Sequence, residues 1–456
     1  MKKIIIYGLI ILLVFSFTSC TVTKNKIDMP SRTYMIYLNG SDLETDYGVA
    51  TEDLKEILST DISPSTRILV YTGGTERWNN QLISDSKNEI YEVVDGGLDR
   101  LVQINQKNMG SAETLKEFII FATGYAPADE HYLIMWNHGG GAISGFGSDE
   151  NYKNNSLLLN EMSTALKEAK EETKINFEFI AFDACLMASL ENIVSLKDVC
   201  DYVIASEELV PASGFNYKDY FKKEKDILKT EELGKLICDE FYRDAVKSGA
   251  KDNLTMSVLK TENVDTLVDK FDLILSELSY TQKAKDKPMI NEDLFKTMTF
   301  GAQNQNEGYS NMLDLQSLCK NLKTKDNTKY EKLKESIDEV CIYKKNGILN
   351  KFACGISVYF PKYLTEYVPY ELKQYERVSF SERYTDSLID YTIQNDFDAK
   401  DQKVSLIDET TFYKIYSCYD EGKDISYRLK ENKITKNKEI LFTVHEEQRY
   451  IVEDLD

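Results

Sequence analysis

The sequence predicts an α/β protein whose mainly parallel sheet is covered by helices on both faces. Short apolar runs typical of buried strands recur along the chain, and stretches with helical periodicity separate them. Strands that alternate with helices at this spacing favour a parallel sheet. The length of 456 residues exceeds what one hydrophobic core usually supports. We therefore expect a large α/β domain and at least one smaller unit.

The first twenty residues are predicted to be an export signal outside the fold. Lys2 and Lys3 precede an apolar stretch over 4–17, and small residues lead to Cys20. A cysteine there resembles the cleavage point of a bacterial lipoprotein, although Phe17 stands where leucine is usual. We expect lipidation of Cys20 and attachment to the cell envelope, or secretion. The alternative is a simple membrane-anchored N-terminus.

The elements follow in order after a tether over 21–31. Strands are predicted at 33–38, 67–71, 132–136, 179–182, 202–205, 254–259 and 355–360, with a polar hairpin over 89–106. Helices are predicted at 48–58, 111–122, 160–172 and 186–194 and over much of 217–278. Beyond residue 396 the pattern becomes charged and alternating. We expect one domain over 32–396 and a small β-rich extension over 397–456.

Composition excludes several classes of protein. A net charge of −21 does not suit binding to nucleic-acid phosphates. The eight cysteines include no C-x-x-C pair, which argues against zinc clusters and redox motifs. We predict no resident metal. Six cysteines beyond Cys20 and Cys185 are expected to be buried thiols, although an exported chain also allows disulfides: Cys200, Cys238, Cys319, Cys341, Cys354 and Cys418.

Two neighbouring strand ends carry the residues needed for thiol chemistry. The run at 132–136 leads into His138-Gly139-Gly140-Gly141, and the run at 179–182 leads into Asp183-Ala184-Cys185. The thiolate is the nucleophile, so Cys185 needs a base, and His138 is the candidate. A helix starting at 186 would favour negative charge on sulfur. The N–H groups of Gly139 and Cys185 can form an oxyanion hole worth about 3–4 kcal/mol.

Structural readings of these residues compete with the catalytic one. A cysteine at a strand–helix junction is usually a small buried residue, and a single histidine is usually structural. Their joint position after two buried strands favours catalysis, and the other histidines, His131 and His445, are poorly placed for it.

Acidic residues near the same strand ends suggest a cationic substrate. Strand side chains alternate, so Asp183 is expected on the same face as Cys185, where its carboxylate would select a basic side chain. Capping a turn is the structural alternative for Asp183. Glu207 and Glu208 end the next strand, where they either add charge to the cleft or are solvated.

The residues above resemble the clostripain-like cysteine peptidases of the caspase, gingipain and legumain clan. The resemblance rests on four segments and spans roughly 32–390: NHGGG (137–141), FDACLMA (182–188), YLNGSDLE (37–44) and NMGSAETL (108–115). It implies a caspase-like three-layer sandwich, a His138/Cys185 dyad without a required third member, and Asp183 as the pocket acid for Arg or Lys.

The resemblance also implies self-activation by cleavage between the histidine and the cysteine. Lys153 is the one basic residue of the polar stretch 144–156 and is the candidate site. Some family members need calcium, for which Asp42/Glu44 or Asp149/Glu150 could supply oxygen ligands. No calcium site is assigned and no cofactor is required by the chemistry.

The sequence therefore predicts an exported, lipid-anchored, monomeric endopeptidase that cleaves proteins or peptides after Arg or Lys through a thioester. Two alternatives stay open. One is an inactive surface-binding lipoprotein of the same fold, and the other is a transpeptidase in which an amine, rather than water, resolves the thioester.

Overall fold

The structure is a computed structural model that describes residues 32–281, 294–304, 308–322, 327–365 and 367–395, with six short strands between 413 and 451. The predicted signal, Cys20, the tether and Cys418 lie outside the described residues. Within the described part of the chain, no helix combines the length and apolar character needed to cross a bilayer.

A nine-stranded sheet forms the centre of the fold. Numbered along the chain, its strands are β1 (Arg32–Asn39), β2 (Thr66–Gly73), β3 (Lys87–Val94), β4 (Gly97–Asn105), β5 (Glu130–Trp136), β6 (Phe177–Asp183), β7 (Cys200–Ala205), β8 (Thr255–Lys260) and β9 (Cys341–Asn346). Their spatial order is β9-β8-β7-β6-β5-β1-β2-β3-β4. The five strands from β7 to β2 are mutually parallel, and two antiparallel strands extend each edge.

Helices cover both faces of this sheet because its central strands are apolar on both sides. Along β1, Tyr34, Ile36 and Leu38 enter one hydrophobic core, whereas Met35 and Tyr37 enter the other. The core with Tyr34 is closed by helices Val49–Leu58, Tyr217–Glu224 and Thr230–Ser248. The opposite core is closed by helices Ala112–Tyr125, Leu159–Thr173, Leu190–Leu196, Val264–Thr281, Leu315–Asn321, Asn327–Val340, Val368–Tyr375 and Glu382–Asn395. The predicted three-layer sandwich is confirmed.

Smaller elements surround the edge at which the parallel strands end. They are helices Ser41–Thr45 and Gly141–Ser144, the paired strands Phe146–Asp149 and Asn155–Leu157, and a three-stranded sheet of Thr299–Phe300, Met312–Asp314 and Ser357–Tyr359. Strands Gln303–Asn304 and Gly308–Tyr309 also pair. The six strands beyond 412 form three antiparallel pairs, in agreement with the predicted β-rich extension. The domain boundary at 396 stays a prediction.

The helix predicted at 186–194 was placed too early, since it spans Leu190–Leu196. Leu186, Met187 and Ala188 are buried in an irregular segment, where Leu186 has a φ of +62°. The N–H groups of Leu186 and Ala188 donate to the carbonyls of Glu208 and Ser206 instead of entering a helix. Ser189 caps the helix through a hydrogen bond from the N–H of Asn192. The apolar run therefore marks tertiary burial and not a first helical turn.

Candidate active site

The thiol and the imidazole follow adjacent parallel strands. β5 and β6 pair in register up to Trp136 opposite Asp183, and His138 and Cys185 each follow two residues later. Carboxyl ends of parallel strands meet at one edge of the sheet, where α/β proteins carry their ligand sites. The prediction that both residues emerge at the same edge therefore agrees with the structure.

Gly139 brings the two strand ends into close contact. A Cβ atom on this glycine would lie 1.9 Å from the carbonyl oxygen of Cys185 and 3.0 Å from its backbone nitrogen. No larger residue fits this contact without displacing one of the two segments. Gly139 therefore brings its own backbone beside the nucleophile.

The Cys185 thiol is partly buried and held by backbone groups. The N–H of Val210 donates to its Sγ at 3.2 Å. Burial raises the pKa of the thiol, and the negative charges of Glu208 and Asp183 raise it further. Hydrogen bonds from the N–H groups of Val210 and Gly139 lower the pKa, but by less. A protonated thiol is thus favoured in this state. The expected helix dipole gives no help, because the helix begins five residues after Cys185.

His138 makes a contact that the sequence did not lead us to expect. Its Nε2 atom lies 2.9 Å from Oδ1 of Asp42, with the two side chains 43% and 50% exposed. The backbone N–H of His138 donates to Oδ1 of the Asn137 side chain. Within the described residues, no hydrogen bond joins the imidazole directly to the Cys185 thiol. The sequence shows that Asp42 follows the apolar run at 33–38, but only the pairing of β1 with β5 brings it beside His138.

Asp183 does not share the environment expected from strand alternation. β6 ends at Asp183, so alternation does not extend to Cys185 in the irregular segment beyond. Oδ2 of Asp183 accepts hydrogen bonds from the N–H of Phe215 and the hydroxyl of Tyr217, both at 3.0 Å. Its side chain is buried, and burial raises its pKa.

Asp53 is a second buried acid that the sequence analysis missed. Its Oδ2 accepts a hydrogen bond from the indole Nε1 of Trp136 at 2.7 Å. Burial raises the pKa of Asp53, and the negative charge of Asp183 raises it further. Two acids from different elements thus lie close together below the edge that carries Cys185. Asp53 lies in helix Val49–Leu58, 130 positions before Asp183, so no local sequence pattern indicated this pairing.

Glu207 and Glu208 do not line an open cleft, and this part of the prediction needs correction. Both are buried, at 0% and 2% exposure. Oε2 of Glu207 accepts from the N–H of Gly355, and Oε1 of Glu208 accepts from the N–H groups of Leu209 and Gly301. Loops that cross this edge leave backbone donors unpaired, and the two carboxylates satisfy them. Neither glutamate is solvated.

The group of side chains best placed to hold a metal already makes hydrogen bonds to the backbone. Within the described residues, one group of three has ligand atoms within 4.8 Å of one another, namely Glu207, Asp314 and Cys354. Asp314 accepts from the N–H groups of Cys354 and Ser317, so its carboxylate already serves the backbone.

The carboxylates considered for calcium are similarly engaged. Glu44 accepts from Thr51 and Asn79, Asp149 accepts from the N–H groups of Met109 and Asn151, and Glu150 accepts from Thr45. Asp42 is bonded to His138. Each of these carboxylates therefore already has a protein partner in this structure.

Lys153 and the remaining cysteines complete the predicted set. Lys153 is exposed, with a φ of +59°, between the paired strands Phe146–Asp149 and Asn155–Leu157. All six cysteines of the described chain are free thiols. Cys200, Cys238, Cys319 and Cys354 are buried, and Cys185 and Cys341 are partly buried.

Comparisons with known proteins identify the family and the fold of this chain. A model of the clostripain family of C11 peptidases matches residues 36–413. Clostripain from Hathewaya histolytica is 25% identical over 342 residues, which is 62% of this chain and 62% of that protein. The chain thus matches less than two thirds of that relative's length.

Two solved structures share the fold. A secreted C11 cysteine protease from Bacteroides thetaiotaomicron, in complex with an irreversible peptide inhibitor, is 19% identical with a TM-score of 0.59, covering 77% of this chain and 99% of its own. An inactive zymogen C11 protease from Parabacteroides distasonis is 22% identical with a TM-score of 0.58, covering 78% and 98%. The family model spans most of the sequence, and the chain therefore belongs to the clostripain family of C11 cysteine peptidases.

Proposed function

We propose that the protein is a cysteine endopeptidase in which Cys185 is the nucleophile and His138 the acid–base group. The observation that carries this proposal is the position of both residues after adjacent parallel strands, with Gly139 in contact with the Cys185 backbone. In the reaction, His138 takes the thiol proton and the thiolate attacks the scissile carbonyl. Backbone N–H groups of Gly139 and Cys185 stabilise the oxyanion. His138 then protonates the leaving amine, and water hydrolyses the thioester.

We propose that substrates carry Arg or Lys before the scissile bond, with Asp183 as the pocket acid. The supporting observation is electrostatic: Asp183 and Asp53 form a buried pair of acids close enough to Cys185 for Asp183 to raise the pKa of the thiol. A cationic side chain would compensate this charge. Binding would require the loop at 214–217 to release the Asp183 carboxylate from Phe215 and Tyr217.

The decisive experiment is mass spectrometry of peptide mixtures that contain Arg, Lys and neutral residues. Cleavage after basic residues by the wild-type protein, and its loss in Cys185→Ala, is the expected result. Cys341→Ala is the matched control, because Cys341 is also a partly buried free thiol. Persistence of cleavage in Cys185→Ala would refute the assignment. Products joined to an added amine would instead indicate a transpeptidase.

An alkylation assay separates the peptidase from an inactive binding protein of the same fold. An activated Cys185 should react with iodoacetamide faster near neutral pH than Cys341 does. Equal slow rates, together with no peptide cleavage, would favour the binding protein.

We propose that the enzyme is processed at Lys153. An exposed lysine in a left-handed turn between two short strands is accessible to a protease, and a related C11 protease is described as an inactive zymogen. Lys153→Ala should keep the purified protein as one chain. Lys174→Ala is a close control, because Lys174 is likewise exposed with a φ of +65°. An unchanged fragment pattern in Lys153→Ala would contradict the proposal.

We also propose an exported protein with a lipid on Cys20, acting as a monomer on proteins or peptides without a cofactor. Metabolic labelling with a fatty acid should mark the wild-type chain and not Cys20→Ala. Dialysis against a chelator should leave the cleavage rate unchanged, because the thiol and the imidazole supply the chemistry and the acidic residues considered for calcium already have partners. A rate that falls on chelation and returns with calcium would overturn that expectation.

A further inference from the structure

Asp42 is the second residue of the short helix Ser41–Thr45, a single turn whose geometry is fixed on both sides. The turn begins after β1, where the N–H groups of Gly40 and Ser41 donate to the carbonyls of Gly73 and Gly74 at the end of β2. Ser41 adopts a φ of +48°. A Cβ atom on Gly40 would lie 2.9 Å from the Cβ of Thr75, so the turn packs tightly against the neighbouring strand end.

Glu44 fixes the other side of this turn. Its buried carboxylate accepts hydrogen bonds from the N–H and hydroxyl of Thr51 and from the N–H of Asn79. Asp42 therefore projects from a rigid support, even though its own side chain is half exposed. An exposed side chain on a flexible loop would not hold a defined distance to His138.

We propose that Asp42 is a positioning residue for His138: it accepts the Nε2 proton and so directs Nδ1 toward the Cys185 thiol. A carboxylate accepts but does not donate, so the nitrogen 2.9 Å from it must carry the hydrogen. The other nitrogen, Nδ1, then bears the lone pair that can take the thiol proton. The described residues offer Nδ1 no hydrogen-bond partner in this state. The inference rests on the proposed function and extends it.

The charge of Asp42 has a second effect on the same imidazole. Partial burial raises the pKa of Asp42, but the hydrogen bond and positive charge of His138 outweigh this, and the net pKa is lowered. At 2.9 Å, the carboxylate also lies beside the positive charge that the imidazole gains when it takes the thiol proton. The other carboxylates near Cys185, Asp183 and Glu208, accept hydrogen bonds from backbone N–H groups and are unchanged in the variants below.

The test compares Asp42→Asn and Asp42→Ala with wild type in peptide cleavage. Asparagine keeps an acceptor for Nε2–H but removes the charge, and alanine removes both. We expect kcat to fall by about tenfold or more in Asp42→Asn and further in Asp42→Ala, with KM little changed. A lower kcat at an unchanged KM distinguishes this role from a loss of substrate binding.

Asp46→Asn is the matched control, because Asp46 is an exposed aspartate of the same turn. It should keep the wild-type kcat and KM. A purely structural role for Asp42 would lower the amount of folded enzyme without changing kcat per folded molecule. Wild-type kcat per folded molecule in both Asp42 variants would overturn the proposal.

A second measurement does not depend on activity. The chain has three histidines, so the ¹⁵N signals of the imidazoles can be recorded by NMR in a Cys185→Ala background and assigned with a His138→Gln variant. With Asp42 present, the neutral His138 ring should carry its proton on Nε2, and Asp42→Ala should lose this preference. The same mixture of tautomers with and without Asp42 would count against the proposal. If wild type cleaves nothing or Cys185→Ala still cleaves, the proposed function has failed. If those controls behave as expected but the Asp42 variants match wild type, only the positioning role has failed.

Discussion

Gly139 is the single residue that determines how closely the segments after β5 and β6 approach each other. Substitution by alanine would place a Cβ atom 1.9 Å from the Cys185 carbonyl oxygen, which forces the His138 and Cys185 segments apart. Because misplacement of reacting groups by about 1 Å can cost about 100-fold in rate, we expect a loss of that order in kcat/KM. Overpacking should also lower the free energy of unfolding by about 1–3 kcal/mol.

Gly124→Ala provides the control for Gly139→Ala. Gly124 lies in helix Ala112–Tyr125, and a Cβ atom there would meet nothing within 4 Å. Alanine should stabilise the helix by about 0.5–1 kcal/mol and leave the cleavage rate unchanged. Peptide kinetics and denaturant unfolding of both variants make the comparison, and normal kinetics in Gly139→Ala would show that the contact is not needed.

Individual residues also show where sequence reasoning stops. His138 and Cys185 could be found because each follows an apolar strand directly, so a local pattern locates them. Asp53 and the partners of Asp183 come from helices and loops far along the chain, and only the folded sheet brings them together. The exposure of Glu207 and Glu208 was wrongly inferred from their charge. Both carboxylates are buried, where they accept hydrogen bonds from the N–H groups of distant loops.

Helix Leu190–Leu196 illustrates the same contrast at the scale of elements. Most strands of the central sheet followed from apolar runs, and the main helices up to residue 278 from their periodicity, but the helices beyond 278 and strand β9 were not predicted. The start of helix Leu190–Leu196 was misread because residues 186–188 are apolar for tertiary reasons. Its second residue, Glu191, is fully buried. One oxygen accepts from the N–H of Tyr359 and the hydroxyl of Tyr375, both at 3.0 Å, and the other has no partner among the described residues.

Burial of Glu191 leads to a prediction about pH. Burial raises its pKa to about 7. A carboxyl group whose folded pKa exceeds its unfolded value stabilises the fold when protonated, so its favourable contribution is complete below about pH 4.5 and is lost as pH rises to about 7. The loss should be about 3 kcal/mol, on the order of 1.4 kcal/mol per unit. Denaturant unfolding of wild type and Glu191→Gln between pH 4.5 and 8 measures it.

Glu191→Gln should show a weaker decline of stability over that pH range, because glutamine does not ionise. Glu113→Gln is the control, since Glu113 is exposed in the first turn of helix Ala112–Tyr125. Identical pH dependence in wild type and Glu191→Gln would mean that Glu191 is not the group responsible.

At the scale of the whole molecule, the two ends of the parallel strands have different roles: the active-site residues lie at one end and a buried ion pair lies at the other. His138, Cys185 and Asp42 follow the carboxyl ends of β5, β6 and β1. At the opposite end, where β1 begins, the buried guanidinium of Arg32 contacts two glutamates. Glu224, at the end of helix Tyr217–Glu224, lies 2.7 Å away, and Glu130, at the start of β5, lies 2.9 Å away. The hydroxyl of Thr66 also donates to Glu224.

Arg32→Met should therefore destabilise the protein without changing its chemistry. Glu224 is 0% exposed, so removing its cationic partner leaves a buried charge uncompensated, at a cost of about 3–5 kcal/mol. The double variant Arg32→Met/Glu224→Gln should recover part of this loss, because Glu224 is then no longer a buried charge without a partner.

Lys55→Met is the control. It breaks the Lys55–Glu52 pair, whose side chains are 61% and 68% exposed, and should change stability by less than about 0.5 kcal/mol. Unfolding free energies and KM values are measured together. A changed KM in folded Arg32→Met would show that the two edges are coupled, because no active-site atom contacts this ion pair within the described residues.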